Sequence, residues 1–94
     1  MSRCIFLADY SIASLTGSSQ SLGKADGTRS MIFVHNPGAN NIGVTIGATA
    51  AIGSAGTVTL VPNGTMTFEI DGIPQNAFQV IGTAGQPVTC WTSP

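Results

Sequence analysis

Apolar residues in this chain recur at every second position in short runs, and glycine or proline interrupts almost every window long enough for a helix. That period belongs to strands. In "IGVTIG", Ile42, Val44 and Ile46 alternate with Gly43, Thr45 and Gly47, which lays three aliphatic side chains on one face and predicts that this face is core. Before it, "SMIFVHN" is rich in strand formers and stops at Pro37, Gly38, Asn40 and Asn41, all turn residues. In "TLVPNGTMTFEI", Val58 and Leu60 share a face ahead of the turn, and Met66, Phe68 and Ile70 share one after it. This reads as a hairpin: Pro62 presets the negative φ that enters the turn, and Asn63 and Gly64 tolerate the positive φ that closes it.

Two further strands follow, "AFQVIG" and "PVTCWT". Phe78 and Val80 are expected to point one way; Val88 and Cys90 face inward with Trp91 on the other side. Upstream, "SIASLTGSSQSL" predicts one looser strand, "GKADGT" and "DGIPQN" are polar turns, and "ATAAIGSAG" reads as a loop wandering over the surface. About six to seven short strands with frequent turn signals predict an all-β fold, a small antiparallel β-sandwich or barrel. Residues 1–10 read as an extended N-terminal arm, with Phe6 and Tyr10 as apolar anchors on a neighbour. An edge strand folded back on its own sheet is the equal alternative. Residues 11–94 then form a single β domain, near the low end of what folds unaided.

Composition changes this picture in one respect. Charged residues make up 7% of the chain, against about 25% in ordinary soluble domains, while the hydrophobic share of 43% is unexceptional. Serine, threonine, asparagine, glutamine and glycine replace the missing charge, and no lysine or arginine follows Arg29. A neutral polar surface with net charge -1 has little self-repulsion, which favours a building block of a larger assembly. The three scattered basic residues exclude a phosphate-binding patch, hence nucleic acid as a partner. Apolar runs such as Met31 to Val34 fall far short of the ~20 residues of a spanning helix, so no membrane partner is expected. "MSRCIFLADY" lacks the form of a secretory signal and reads as a cytoplasmic start.

Candidate chemistry is sparse. His35, the single histidine, alternates with Met31 and Phe33 beside the "NPG" turn and is expected to be a satisfied structural residue. Cys4 and Cys90 lack the spacing of a zinc or redox motif; two buried thiols are expected, and a disulfide tying the ends stays open. Glu69 and Asp71 share a strand face but supply too few oxygens for a calcium site by themselves. There is no GxSxG elbow and no phosphate loop. The expectation is a non-enzyme with no cofactor, no metal site and no catalytic residue.

The run "SSQSLGKADGTRSMIFVHNPGANNIGVTIG", followed by "GSAGTVTLVPNGTMTFE", resembles small accessory proteins of tailed-bacteriophage virions. The matching positions are Arg29, Asn36, Gly38, Asn40, Gly47, Gly56, Leu60, Pro62, Gly64 and Phe68. The resemblance covers Ser11 to Glu69, with "AGQPVTCWT" as a final strand; the hydrophobic start "MSRCIFLADY" departs from the commoner pattern. It implies a compact β domain carried in many copies on a head, head fibre or tail. The function expected is a capsid decoration or cement subunit, located in the virion after assembly in the host cytoplasm. Its partners are the major capsid protein or other virion proteins, together with self-association in clusters such as homotrimers. The alternative is a tail or fibre component that binds a carbohydrate or receptor. Phe6, Tyr10 and Trp91 are the expected interface residues.

Overall fold

A computed structural model describes residues 8–22, 31–69 and 77–93. They form eight strands: β1 (Ala8–Asp9), β2 (Gln20–Leu22), β3 (Met31–His35), β4 (Ile42–Ile46), β5 (Val58–Leu60), β6 (Thr65–Glu69), β7 (Phe78–Ile81) and β8 (Thr89–Ser93). One four-stranded sheet has the order β1-β8-β3-β6 and the other β2-β7-β4-β5. Every pairing is antiparallel. The connectivity is that of one long hairpin: β1 pairs with β8, β2 with β7, β3 with β6 and β4 with β5. The hairpin is rolled so that β3 also meets β8 and β4 meets β7. An eight-stranded, two-sheet arrangement of this order is a jelly roll.

The predicted sandwich is therefore the fold, with more strands than the turn signals alone separate. Ala8–Asp9, read as arm, pairs with β8, so the edge-strand alternative holds for these residues. Residues 1–7 of the arm, including Phe6, lie outside the described residues, as do Arg29, Ile70 and Asp71. Strand alternation places the core, as expected at Ile42, Val44, Val88 and Cys90. Ile32 and Val34 of β3, Ile42 and Val44 of β4, Phe78 and Val80 of β7, and Val88 and Cys90 are fully buried, joined by Leu15, Leu22 and Leu60. Phe68 and Phe78 meet edge-on with ring centroids 6.2 Å apart. Burying a side chain of this class contributes about 1.5–3 kcal/mol. Ile46, on the predicted face, remains exposed at the end of β4, and so does Val58 at the start of β5.

The β4–β5 connection does not wander. Ala50 is buried, and its N–H donates to Ser19 Oγ at 2.9 Å. Thr45 Oγ1 donates to the Ala48 carbonyl, and Thr57 Oγ1 accepts from the Ala51 N–H. In the β5–β6 hairpin the Gly64 N–H returns to the Val61 carbonyl at 2.7 Å, with Pro62 second and Asn63 third in the turn at φ 66°. That is the placement expected when proline presets φ and asparagine takes the left-handed position.

At this end of the roll one buried side chain joins the turns. Asn36 Nδ2 donates to the carbonyls of Asn40 and Leu60 at 2.8 Å each. Its Oδ1 accepts from the Gly38 N–H at 3.0 Å and from Gln86 Nε2 at 2.9 Å. The backbone of Asn36 adds bonds to Gly64 and Asn63. A Cβ at Gly38 would stand 2.5 Å from Gln86 Cγ, so only glycine lets Gln86 reach across. Asn36, Gly38 and Asn40 of the sequence pattern are thus parts of one closure. Asn36→Ala should lower unfolding stability by about 2–4 kcal/mol, because it leaves several buried groups unpaired. Gly38→Ala should cost about 1–3 kcal/mol through overpacking. Urea titration of both variants against wild type measures this.

Candidate functional site

The solvent-facing side of the first sheet is where the structure gathers the side chains that composition makes scarce. Directly opposed residues in a sheet share a face. The registers Asp9↔Trp91, Phe33↔Trp91 and Phe33↔Thr67 therefore set Asp9, Trp91, Phe33 and Thr67 in one row across all four strands. A second row holds Thr89, His35 and Thr65. Trp91 is 41% exposed, and its ring lies 5.4 Å from that of Phe33, tilted by 32°. His35 stacks with Phe33 as well, with centroids 6.4 Å apart and planes within 17°. The free face of an antiparallel sheet ordinarily carries polar side chains. Here its centre is aromatic and its surroundings are largely hydroxyl-bearing.

Asp9 provides the charge in that row. The Ser11 hydroxyl and then the Ser11 backbone N–H, which donates to Oδ1 at 2.9 Å, hold its carboxyl below the usual range against a slight opposing effect of burial. Ser11 is itself fixed, since its Oγ accepts from the Cys90 N–H at 3.0 Å. Trp91 thus points outward as expected. Tyr10 is 40% exposed but registers with Cys90, whose side chain faces the core, so Tyr10 and Trp91 do not share a face. Phe6 lies outside the described residues. Phe33 was legible only as a strand residue; its place beside Trp91 depends on the β3–β8 pairing, which has no local signal.

His35 differs from the structural residue expected. Its ring is half-buried against Phe33, and among the described residues no hydrogen bond fixes it. Among those residues, no group of three or more histidine, cysteine, aspartate and glutamate side chains could hold a metal ion. No described helix is long and apolar enough to cross a membrane. Cys90 is buried in the core, and Cys4 lies outside the described residues.

No family model matches the chain, and no curated protein matches it. Among solved structures it is similar to a protein of Bacillus endospore appendages, which form a family of disulfide-linked pili. The TM-score is 0.54 at 12% identity, covering 99% of this chain and 94% of that chain. At this identity the likeness shows the fold: a β-rich domain like that of a structural appendage protein, over the whole length of the chain.

The geometry at Asp9 has a measurable consequence. A carboxyl whose folded pKa is depressed contributes stability that is present above its unfolded pKa and is lost as pH falls through the folded value. Ser11→Ala should raise the Asp9 pKa toward the ordinary aspartate value, read from its carboxyl carbon shift in an NMR pH titration. The variant should lose the stability that Asp9 contributes above its unfolded pKa, so the fall in stability on acidification becomes shallower.

Proposed function

We propose that this chain is a non-enzymatic structural subunit that works in many copies on a larger particle, in the first instance as a decoration or cement subunit of a virion shell. The observation that carries the reading is the outer face of the first sheet, where Trp91 and Phe33 are set among Thr65, Thr67 and Thr89. A face of this kind is suited to contact with another protein surface: aromatic side chains supply contact area at low entropy cost, and neutral hydroxyls pair at wet interfaces without the desolvation that buried charge requires. The resemblance of the Asn36 and hairpin motifs to tailed-phage accessory proteins supports the same reading. The jelly roll is a fold of capsid and lectin domains alike, an analogy that concerns architecture and not a site.

The mechanism is mechanical. Each copy adds weak contacts between neighbouring shell subunits, and many such contacts raise the barrier to opening of the closed shell. The structurally similar appendage protein belongs to disulfide-linked pili. In this chain Cys90 is fully buried among core residues, so a covalent link through it would require the core to open. Density-gradient fractionation of source lysate, with peptide mass spectrometry across the fractions, tests the reading. Co-migration with intact particles at many copies per shell is expected. Recovery only among free proteins would overturn it.

A second reading, a carbohydrate-binding tail or fibre component, is favoured by one observation: the exposed Trp91 ring has Phe33 on one side and the ionised Asp9 opposite it on β1. Sugar rings stack on aromatic surfaces and hydrogen-bond to carboxylates at their rim. Trp91 is the single tryptophan, so its fluorescence reports on this face directly. On this second reading a glycan titration should shift the emission, and Trp91→Ala should weaken binding at least tenfold, about 1.4 kcal/mol. A glycan screen without response would remove the reading.

A further inference from the structure

The edges of the two sheets are not equivalent. Asn36 N–H donates to the Gly64 carbonyl at 2.9 Å, which makes these residues a hydrogen-bonded pair at the end of the β3–β6 ladder. Hydrogen-bonded and non-bonded pairs alternate in antiparallel sheets. Val34–Met66 and Ile32–Phe68 therefore exchange the ladder bonds. Thr65, Thr67 and Glu69 occupy the intervening pairs and turn their backbone N–H and C=O away from β3, along the edge of the sheet. The far side of the sheet agrees. Ile12 and Val88 exchange bonds of 2.9 Å in both directions, and the Tyr10 N–H donates to the Cys90 carbonyl. That leaves residues 89, 91 and 93 of β8 for residues 35, 33 and 31 of β3, and hence residues 32 and 34 for β6.

The other three edges are short or occupied. β1 has two residues, and the next outward amide, that of Ser11, is taken by the Asp9 carboxylate. The bond from the Gly47 N–H to the Ala77 carbonyl fixes the alternation in the second sheet. It leaves a single outward residue within each three-residue edge strand, Ser21 in β2 and Thr59 in β5. Monomeric proteins protect a long edge with lysine, proline, a bulge or a covering segment. β6 has five residues in unbroken register with β3, contains neither lysine nor proline and only one charged residue, Glu69 at its end, and among the described residues has no strand on its outer side.

We propose that β6 is a self-pairing edge: two copies join β6 to β6, antiparallel, about a two-fold axis at Thr67, and merge their first sheets into one. The sequence of the strand selects this register. The outward residues Thr65, Thr67 and Glu69 are symmetric about Thr67, so the whole strand overlaps its copy. Thr67 pairs with Thr67 of the partner subunit, and Met66 with Phe68 of the partner subunit, both favourable cross-strand pairs. Centring on Thr65 shortens the overlap, and centring on Glu69 also opposes two acidic residues. The joint has a consequence for the outer face. Thr67 ends the row that contains Trp91 and Phe33, so the two rows become continuous across the axis and the aromatic surface doubles.

This inference concerns the contact between copies, and its test is independent of attachment to any particle. Sedimentation velocity of the full chain over a concentration series, with amide hydrogen exchange by NMR, reads it directly. Wild type should form dimers, with protection of the Thr65, Thr67 and Glu69 amides rising with concentration. Thr67→Lys sets like charges across the axis, and Thr67→Pro removes an N–H that β3 does not use. Each should weaken the dimer by at least about tenfold and free the outward amides, while the Ile32 and Val34 amides stay protected and report an intact fold. Thr59→Lys, on the β5 edge, should leave the dimer unchanged. Three results would overturn the proposal: a wild-type monomer throughout, association with the outward amides still exchanging freely, or protection that disappears when residues 1–7 are deleted. The last would assign the edge to the arm of another copy.

Discussion

Pairing of the chain's first half with its second, strand against strand from the ends inward, is the constraint on which the rest of this structure depends. β1 meets β8, β2 meets β7 and β3 meets β6, with the β4–β5 turn at the tip. Since a one-residue slip in a strand exchanges its inner and outer faces, each register determines at once which residues enter the core and which reach solvent. The pairing of Phe33 with Trp91 shows both effects. It sets Val34 and Cys90 into the core behind them and brings the two aromatic rings together in front. Core and candidate surface are consequences of the same ladder.

Such a fold needs a closure where its turns converge. Hydrophobic contact has no direction, so the aliphatic core does not by itself fix how the turns seat over the end of the sandwich. Asn36 supplies direction. Its amide uses both hydrogens and accepts two further bonds, which connect the turn after β3 to the strand before the hairpin and to Gln86 before β8. A buried amide this fully paired is stabilising where a partly paired one is costly. The opposite rim, where Ile46, Ile52 and Val58 remain exposed, has no comparable closure among the described residues.

The parts of this arrangement that were legible in the sequence are those set by local rules. Alternation located the inward faces of β4 and β8 and put Phe78 and Val80 of β7 on one side, and turn chemistry located the Pro62–Asn63–Gly64 reversal, because both depend on residues a few positions apart. The unread parts depend on residues far apart in the chain. Gln86 sits in a loop where nothing local marks it as buried, yet it reaches Asn36 because Gly38 leaves room. Leu15 lies between strands and is buried nonetheless. For the candidate site, Trp91 was read as outward-facing, but its companions Phe33 and Asp9 come from strands paired with β8 on either side. A two-residue strand such as Ala8–Asp9 has too little periodicity to be distinguished from an arm.

The shortage of charge acquires a structural meaning from where the remaining charge lies. Asp9 sits on β1, at one edge of the first sheet, and its carboxylate engages Ser11, so that edge is both short and charged. Across the sheet, β6 is long and regular, has no basic residue, and carries its one charge, Glu69, at its last position. An edge strand is kept from pairing by features that cost little to a monomer, such as one lysine or one proline. Their absence from β6, in a chain that blunts its other edges by length or by local hydrogen bonds, is the pattern expected if pairing at this edge is part of what the protein does. The same neutrality that leaves a monomer with little electrostatic protection leaves two copies with little to repel them. Low charge and an unprotected β6 edge are both what the proposed pairing of β6 with its copy requires.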